Sequence, residues 1–204
     1  MQWGRAPTGS PPAFQLVAIA ASAGGLSALT TVLAHLPRTF PLPVAIVQHV
    51  DPRHESLVAD ILARRTPLTV KRAEQDDLLT AGIVYVAPPG SHMEIDANGG
   101  CRRIQLAHTQ PVHFVRPSAD RLFQSAALSC GPIIGVVLTG SGSDGALGAR
   151  AIKNAGGLVI VQNQESSEFF GMPQAAIESG AVDLVLPLGD IAGALLEVTG
   201  TEHS

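Results

Sequence analysis

The amino-acid sequence predicts an α/β fold: a doubly wound, mostly parallel sheet with helices on both faces and an appended antiparallel β-hairpin. Three observations support this prediction. Short β-branched runs alternate with Ala/Leu-rich segments of helical length, which is typical of a parallel sheet covered by helices. The run 133–138 is continuously apolar, so we expect a central strand there, buried on both faces. Asn98-Gly99, between two short strand-like runs, is a strong hairpin signal.

The first half of the chain predicts a strand–helix–strand unit and a further helix. The first strand is expected at 16–20, the helix at 26–36 and the second strand at 44–47. Prolines 37, 41 and 43 mark the connection between that helix and the second strand. A helix follows over about 56–65, and Pro67 prevents it from continuing much further.

The second half begins with short candidate strands and then returns to the alternating pattern. The candidate strands cover 70–73, 83–87, 93–96 and 104–106. A helix ending near 129 is expected next, with Ser118 or Asp120 as its N-cap. After the strand 133–138 we expect elements in the order helix 146–155, strand 158–162, helix 173–179 and strand 182–186.

Length and composition indicate a domain that needs no metal or disulfide to hold its core. The chain has 204 residues, 46% of them hydrophobic, and we expect a flexible arm at 1–14, one catalytic domain at 15–198 and a tail at 199–204. The two cysteines are isolated in the sequence, so we expect buried or idle thiols and no metal or cofactor. We do not expect nucleic-acid binding, since the net charge is −4 and the basic residues are scattered. We also do not expect membrane insertion, and we predict a soluble cytoplasmic protein.

Ser22 lies in the turn between the first strand and the first helix. A dinucleotide-binding turn would read G-x-G-x-x-G, and the matching positions here are Ala20, Ser22 and Gly25. A hydroxyl therefore replaces the glycine that lets a backbone approach a pyrophosphate. Such a turn directs side chains and free N–H groups into the crevice at the carboxyl end of a parallel sheet. The position suits a nucleophile.

Ser22, His49 and Asp144 each follow a predicted buried strand. In a parallel sheet all three should project from the carboxyl edge, and hydroxyl, imidazole and carboxylate are the groups that acyl transfer by a serine nucleophile requires. Backbone N–H groups are candidates to stabilise the oxyanion, and they belong to Ala23, Gly24 and Ser141.

Simpler interpretations of the same residues stay open at this point. Asp144 fits an N-cap for its own helix, and Ser22 fits a cap for the first helix. A nucleotide-binding Rossmann-like module is the chief alternative function, with Asp51 available to contact a ribose. The six other histidines have no comparable placement, and most are expected to be solvated or capping.

Several ordered motifs resemble the catalytic domain of the chemotaxis protein-glutamate methylesterases, the CheB family. The likeness runs from about residue 15 to 196 and includes Ala21-Ser22-Ala23-Gly24-Gly25, Gln48-His49, Ala87-Pro88-Pro89-Gly90-Ser91-His92, Pro117-Ser118-Ala119-Asp120, the loop from Leu138 to Gly145, and Phe170-Gly171-Met172-Pro173. The resemblance implies Ser22 as nucleophile, His49 as general base and Asp144 as the carboxylate that orients it. It also implies hydrolysis of glutamate methyl esters, with methanol release, and deamidation of certain glutamines.

The same resemblance implies which partners the protein binds, and the chain departs from the family's usual sequence at three positions. The substrates would be the cytoplasmic helices of chemoreceptors or another methylated protein, and a silent receptor-binding scaffold is a third interpretation. The family usually has glycine where Ala20 stands, often threonine at Ala23 and commonly methionine at Ser141. We expect these changes to tune activity without removing main-chain donors. Since about a dozen residues precede the first strand, we expect a stand-alone form without a receiver domain. Constitutive activity, regulation by a separate partner and excision from a longer polypeptide all stay open.

Overall fold

The computed structural model of the chain describes residues 14–50, 56–96 and 102–201. Its strands are β1 (Val17–Ala21), β2 (Val44–Gln48), β3 (Thr69–Arg72), β4 (Ile83–Val86), β5 (His92–Asp96), β6 (Arg103–Ala107), β7 (Ile134–Val137), β8 (Leu158–Gln162) and β9 (Leu184–Leu186). Its helices are α1 (Gly25–Ala34), α2 (Val58–Ala63), α3 (Ala119–Cys130), α4 (Ala146–Asn154), α5 (Gly171–Glu178) and α6 (Leu188–Thr199).

The main sheet is parallel throughout, with strand order β3-β4-β2-β1-β7-β8-β9. Strands β2, β4 and β3 lie on one side of β1, and the later strands β7, β8 and β9 lie on the other side. The strand order therefore reverses direction between β1 and β7. In open α/β sheets, ligands bind at such a switch point, outside the carboxyl ends of the strands.

Two hydrophobic cores cover the two faces of this sheet. Because side chains alternate along a strand, β1 sends Ala18 and Ala20 to one core, and Val17 and Ile19 to the other. The first core is closed by α3, α4 and α5, and the second by α1, α2 and α6. All five residues of β1 are buried, as the sequence predicted for strands covered on both faces.

A two-stranded antiparallel sheet is appended to this framework, in agreement with the predicted hairpin. Strands β5 and β6 pair with His92 opposite Ala107 and Asp96 opposite Arg103. The Asn98-Gly99 turn expected to join them lies outside the described residues. Ser125 and Ser129 of α3 hydrogen-bond the backbone N–H and C=O of Ile95, so β5 lies along α3. The doubly wound architecture with an added hairpin is confirmed.

The predicted elements agree with the observed ones apart from their ends and one helix. The sequence assigned no element after the strand at 182–186, whereas α6 follows it directly. Within the described part of the chain, no helix combines the length and the apolar character that crossing a bilayer requires.

Candidate active site

Ser22 directly follows β1 in a turn that is fixed by its backbone. Its N–H donates to the carbonyl of Thr139 (3.0 Å), and its own carbonyl accepts hydrogen bonds from Gly25 N–H and Gln48 Nε2 (both 2.8 Å). The N-cap of α1 is Gly24, at φ 73°, and no side chain caps that helix. Ser22 is therefore not the helix cap that the sequence also allowed. Its hydroxyl forms no hydrogen bond to any described residue.

His49 lies beside Ser22 because their strands are neighbours. Ala21 is in register with Gln48, and the N–H of His49 donates to the carbonyl of Ala21 (3.0 Å). The ring Nε2 of His49 hydrogen-bonds Asp144 Oδ2 at 2.8 Å, with side chains 12% and 4% exposed respectively. When Nε2 carries the hydrogen shared with the carboxylate, Nδ1 is left as the proton acceptor. The structure contains no hydrogen bond between His49 and the Ser22 hydroxyl.

Asp144 is held by donors on both carboxylate oxygens. Oδ2 accepts from His49 Nε2 and from Ala119 N–H (2.6 Å). Oδ1 accepts from the Ser118 hydroxyl (2.8 Å) and from Asp120 N–H (3.0 Å). The carboxylate thus binds the N-terminus of α3, where free N–H groups and the helix dipole favour negative charge. Burial raises the pKa of Asp144, but these hydrogen bonds outweigh it and hold the pKa below its ordinary value.

This arrangement corrects one N-cap prediction and confirms the position of another, although not its side-chain contact. Asp144 caps α3 and not its own helix, whose N-cap is Gly145 at φ 100°. Ser118 does occupy the N-cap position of α3, but its hydroxyl makes no cap and donates instead to Asp144. The spacing along the chain could not reveal this exchange, because residues 118 and 144 meet only in the folded sheet.

Asp120 binds the N-terminus of α4, as Asp144 binds the N-terminus of α3. Its Oδ1 accepts from Gly145 N–H (3.0 Å) and Gly148 N–H (2.7 Å) at the start of α4. Its Oδ2 is buried and accepts no hydrogen bond, although His113 Nε2 lies 3.3 Å away. Burial raises the pKa of Asp120, with the Asp144 charge acting in the same direction, and the helix N–H groups and His113 offset this only in part.

His92 extends the network behind Asp144 and was missed in the sequence, where most of the other histidines were expected to be solvated or capping. It is fully buried. Its Nδ1 accepts from Ser118 N–H (3.2 Å), so Nε2 carries the hydrogen that is donated to the carbonyl of Gln110 (3.0 Å). His92 therefore holds Ser118, and Ser118 in turn holds Asp144. The sequence signals were its position just before the predicted strand 93–96 and its place at the end of the motif Ala87-Pro88-Pro89-Gly90-Ser91-His92.

The candidate oxyanion donors lie on two loops that meet at Ser22. The N–H groups of Ala23, Gly24 and Ser141 donate to no described residue, so they are available to a ligand. Gly140, just before Ser141, packs against Ser22: a Cβ at position 140 would lie 2.8 Å from the Ser22 Cβ and 2.4 Å from Met172 Sδ. The close approach of the two loops therefore requires glycine at 140.

A cavity of about 150 Å³ opens beside His49. Its wall also contains Val50, Phe114 and Arg116. We find no cluster of three or more His, Cys, Asp or Glu side chains able to hold a metal ion among the described residues. Cys130 is buried and free, in keeping with the expected idle thiol, whereas Cys101 and the ribose candidate Asp51 lie outside the described residues.

The fold and the site define a class: a doubly wound α/β domain with hydroxyl, imidazole and carboxylate side chains at the carboxyl edge of its sheet, the residue types of a serine hydrolase. A family model described as CheB methylesterase matches residues 17–195. The chain belongs to the CheB methylesterase family.

Individual relatives agree with this assignment. A Carboxydothermus hydrogenoformans protein named protein-glutamate methylesterase/protein-glutamine glutaminase 1 is 48% identical over 182 residues, covering 87% of this chain and 53% of that protein. Protein-glutamate methylesterase FrzG of Myxococcus xanthus is 44% identical over 188 residues, covering 92% of this chain and 55% of FrzG. The chain thus spans about half the length of the curated relatives it matches.

A solved structure matches nearly end to end. The crystal structure of the Thermotoga maritima CheB methylesterase catalytic domain superposes with a TM-score of 0.88 at 36% identity, covering 91% of this chain and 98% of that one. The match therefore leaves out only about a tenth of this chain.

Proposed function

We propose that this chain is a serine hydrolase that removes methyl esters from glutamate side chains of chemoreceptors and releases methanol. The observation that carries the proposal is the His49–Asp144 hydrogen bond at 2.8 Å, at the strand end adjacent to Ser22. Both relatives are named protein-glutamate methylesterase, which supplies the reaction class. Ser22 acts as nucleophile, His49 as general base and Asp144 as the carboxylate that orients the imidazole.

The reaction proceeds in two acyl-transfer steps. Ser22 Oγ attacks the ester carbonyl while His49 Nδ1 accepts its proton, and the ionised Asp144 stabilises the imidazolium that forms. The imidazolium then protonates the departing methoxide, which leaves as methanol, and the glutamyl group remains on Ser22. Water repeats the cycle, yielding glutamate and free Ser22. A pKa of Asp144 below its ordinary value keeps that carboxylate ionised throughout.

Deamidation of glutamine is a second activity that the same site supports. The relative from Carboxydothermus hydrogenoformans also carries the name protein-glutamine glutaminase. An amide carbonyl passes through an analogous tetrahedral intermediate, and protonated His49 would transfer its proton to the amide nitrogen, which leaves as ammonia in place of methanol. The substitutions at Ala20, Ala23 and Ser141 keep every main-chain N–H, so we propose that they adjust the rate without abolishing either reaction.

Nucleotide binding is the weaker candidate. The Glu168 side chain lies against the turn after β1, since a Cβ on Gly24 would approach Glu168 Oε2 to 2.6 Å. A carboxylate at that point repels a pyrophosphate and occupies the space where its oxygens would contact the helix N-terminus. The same carboxylate is compatible with an uncharged methyl ester.

The substrate we propose is a methylated protein, in particular the cytoplasmic helices of a chemoreceptor, which places the reaction in the cytoplasm. A silent receptor-binding scaffold remains the alternative in which the same partner is bound without ester loss. The buried, fully hydrogen-bonded Asp144 favours the enzyme, because a scaffold has no need for a carboxylate hydrogen-bonded to an imidazole.

Methanol release from a methylated receptor fragment tests the proposal. We expect Ser22→Ala to abolish it while the thermal unfolding midpoint stays unchanged, because the Ser22 hydroxyl has no partner among the described residues. The matched control is Ser27→Ala, the same chemical change at an exposed position in α1, which should leave turnover intact. Unchanged turnover in Ser22→Ala rejects the assignment, and binding without turnover by the unmodified protein favours the scaffold.

A further inference from the structure

A two-residue turn stands beside the candidate site. Val112 and Val115 exchange both backbone hydrogen bonds, at 3.1 and 2.9 Å, and the residues between them are His113 and Phe114. Both central residues have positive φ, 49° and 65°. Positive φ at both central positions is the signature of a type I′ turn, which favours Asn-Gly.

The residues at the two central positions are poorly suited to this backbone. A bulky residue at positive φ is an outlier, and such outliers cluster at ligand-binding positions because surrounding contacts must maintain them. Turn formation alone therefore does not explain His113 and Phe114, and each needs a reason of its own.

His113 has a structural reason. Its Nε2 lies 3.3 Å from Asp120 Oδ2, a buried carboxylate oxygen that accepts no hydrogen bond. This contact joins the turn to the first turn of α3, next to the Asp144 network. His113 therefore anchors the turn to the same part of the fold that positions the candidate site.

Phe114 has no such reason. Its side chain is fully exposed, at 102%, the most exposed large hydrophobic side chain of the described residues. Yet Phe114 also contributes to the wall of the cavity that contains His49. A solvent-exposed apolar ring in the wall of the cavity that the His49 imidazole also lines has the placement of a contact residue for a ligand.

The size of the cavity indicates where the rest of the substrate must lie. A volume of about 150 Å³ equals roughly five water molecules, which is room for a side chain but not for a helix about 10 Å across. The lining of this cavity includes His49 but not Ser22, so in the proposed function the ester carbonyl lies between these two residues at the edge of the cavity, and the helix that carries the glutamate remains outside. That helix must then rest on residues at the mouth, where Phe114 is a fully exposed large apolar side chain.

We propose that Phe114 is a substrate-docking residue, which packs against the apolar side chains of the substrate helix next to the methylated glutamate. This inference rests on the proposed function and adds the specificity determinant. The anchored turn fixes Phe114 before binding, so little conformational freedom is lost when the helix docks.

Steady-state kinetics with a methylated chemoreceptor fragment test this role. For Phe114→Ala we expect KM to rise about tenfold, corresponding to about 1.4 kcal/mol of binding, with a much smaller change in kcat. The matched control is Leu128→Ala, which removes another exposed apolar side chain, 89% exposed, in the last turn of α3. An unchanged KM, or an equal rise in Leu128→Ala, overturns the docking role.

A binding measurement separates this inference from the proposed reaction. In a Ser22→Ala background, fluorescence anisotropy of the labelled fragment should show about tenfold weaker binding when Phe114→Ala is added, and no change when Leu128→Ala is added. Phe114-dependent binding together with no methanol release from the protein that retains Ser22 supports docking and rejects the reaction. Methanol release combined with binding that does not depend on Phe114 supports the reaction and rejects the docking role.

Sedimentation of the free protein tests whether the Phe114 ring contacts a second copy of the chain instead of the substrate helix. A dimer that dissociates on Phe114→Ala would assign the side chain to a second copy of the chain and overturn the inference. A mass that is the same before and after the substitution supports docking of the substrate helix.

Discussion

Asp144 and Asp120 each cap the helix that begins beside the other. Asp144, just before α4, accepts N–H groups of Ala119 and Asp120 at the start of α3, whereas Asp120 accepts those of Gly145 and Gly148 at the start of α4. Burial raises the pKa of both carboxylates. Hydrogen bonds to both oxygens of Asp144 outweigh burial and hold its pKa below the ordinary value, whereas those to one oxygen of Asp120 do not, and the pKa of Asp120 is raised.

Asp144→Asn should lower kcat by about 10³–10⁴-fold while the protein still folds. Both oxygens of Asp144 accept hydrogen bonds, including those from His49 and Ser118, so an amide NH₂ at either position faces a donor. The imidazole then loses its acceptor and the orientation that Ser22 requires. Single-turnover methanol release measures the effect, and a loss of less than about tenfold contradicts the role given to Asp144.

The same variant should show a pH-dependent loss of stability. Because the folded pKa of Asp144 lies below its unfolded value, its ionised form stabilises the native state above the unfolded pKa, and this contribution is lost as pH falls through the folded pKa. Urea unfolding should therefore show the largest cost of Asp144→Asn near pH 7 and a smaller cost below about pH 4. A cost that does not change with pH rules out the ionised carboxylate as its source.

Asp120→Asn should behave in the opposite way. The amide keeps one oxygen for the Gly145 and Gly148 N–H groups, and its NH₂ replaces Oδ2, which accepts no hydrogen bond and faces His113. A raised folded pKa means that ionisation costs stability as pH rises from the unfolded pKa through the folded one. We expect Asp120→Asn to equal or exceed the parent in stability at pH 7, with the advantage absent in acid.

Asp120→Ala is the comparison that isolates hydrogen bonding from charge. It removes the acceptor of two buried N–H groups, which costs about 1–3 kcal/mol at any pH. Urea unfolding at pH 7 should therefore rank the parent and Asp120→Asn above Asp120→Ala. Equal losses in both variants would show that the negative charge itself stabilises the fold.

Gly140→Ala should reduce both stability and turnover. The added methyl group would lie within 3 Å of Met172 Sδ and of the Ser22 Cβ, so one of these atoms must move. Overpacking of this kind typically costs about 1–3 kcal/mol. We expect Met172→Ala to cost less stability in the Gly140→Ala background than in the parent, where it empties a fully buried site, because the overpacked contact is removed at the same time; turnover should stay low because the contact with Ser22 remains.

Gly193→Ala is the matched control for this prediction. Gly193 lies inside α6 with no atom within 4 Å of its added Cβ, so alanine should stabilise the helix by about 0.5–1 kcal/mol and leave methanol release unchanged. Thermal unfolding and the methanol assay on both variants provide the measurements. Full activity in Gly140→Ala would show that the two loops are not required to approach so closely.

The sequence predicted the fold well where one strong local signal was present. Alternation of strands and helices, continuous apolar runs and the Asn-Gly turn identified the parallel sheet and the appended strands. Helix α6 gave a weak signal because Gly189 and Gly193 lower helix propensity by about 1 kcal/mol each. Burial of Ile191 and Leu195 against the core that includes α1 compensates for that cost, and this contact is tertiary.

Strand-end placement identified Ser22, His49 and Asp144 as candidates, and the structure brings the last two into a hydrogen bond. Their catalytic roles stay a prediction. The supporting residues were beyond the reach of the sequence, because Ser118 and Asp120 contact residues about 25 positions away. Capping rules describe a helix and its own flanking residues, so they assigned Asp144 to α4 when it caps α3.

Strands β2, β1 and β7 are consecutive in the middle of the sheet, and each carries one of the three polar groups at its end. Fraying at the outer strands β3 and β9 leaves those groups together, whereas separating β1 from either neighbour disperses them. Interior strands open only with most of the domain, so the amides of β1 should be among the slowest to exchange with solvent. The geometry on which the proposed activity depends should therefore persist as long as cooperative folding does, and partial melting at the sheet margins should not disrupt it.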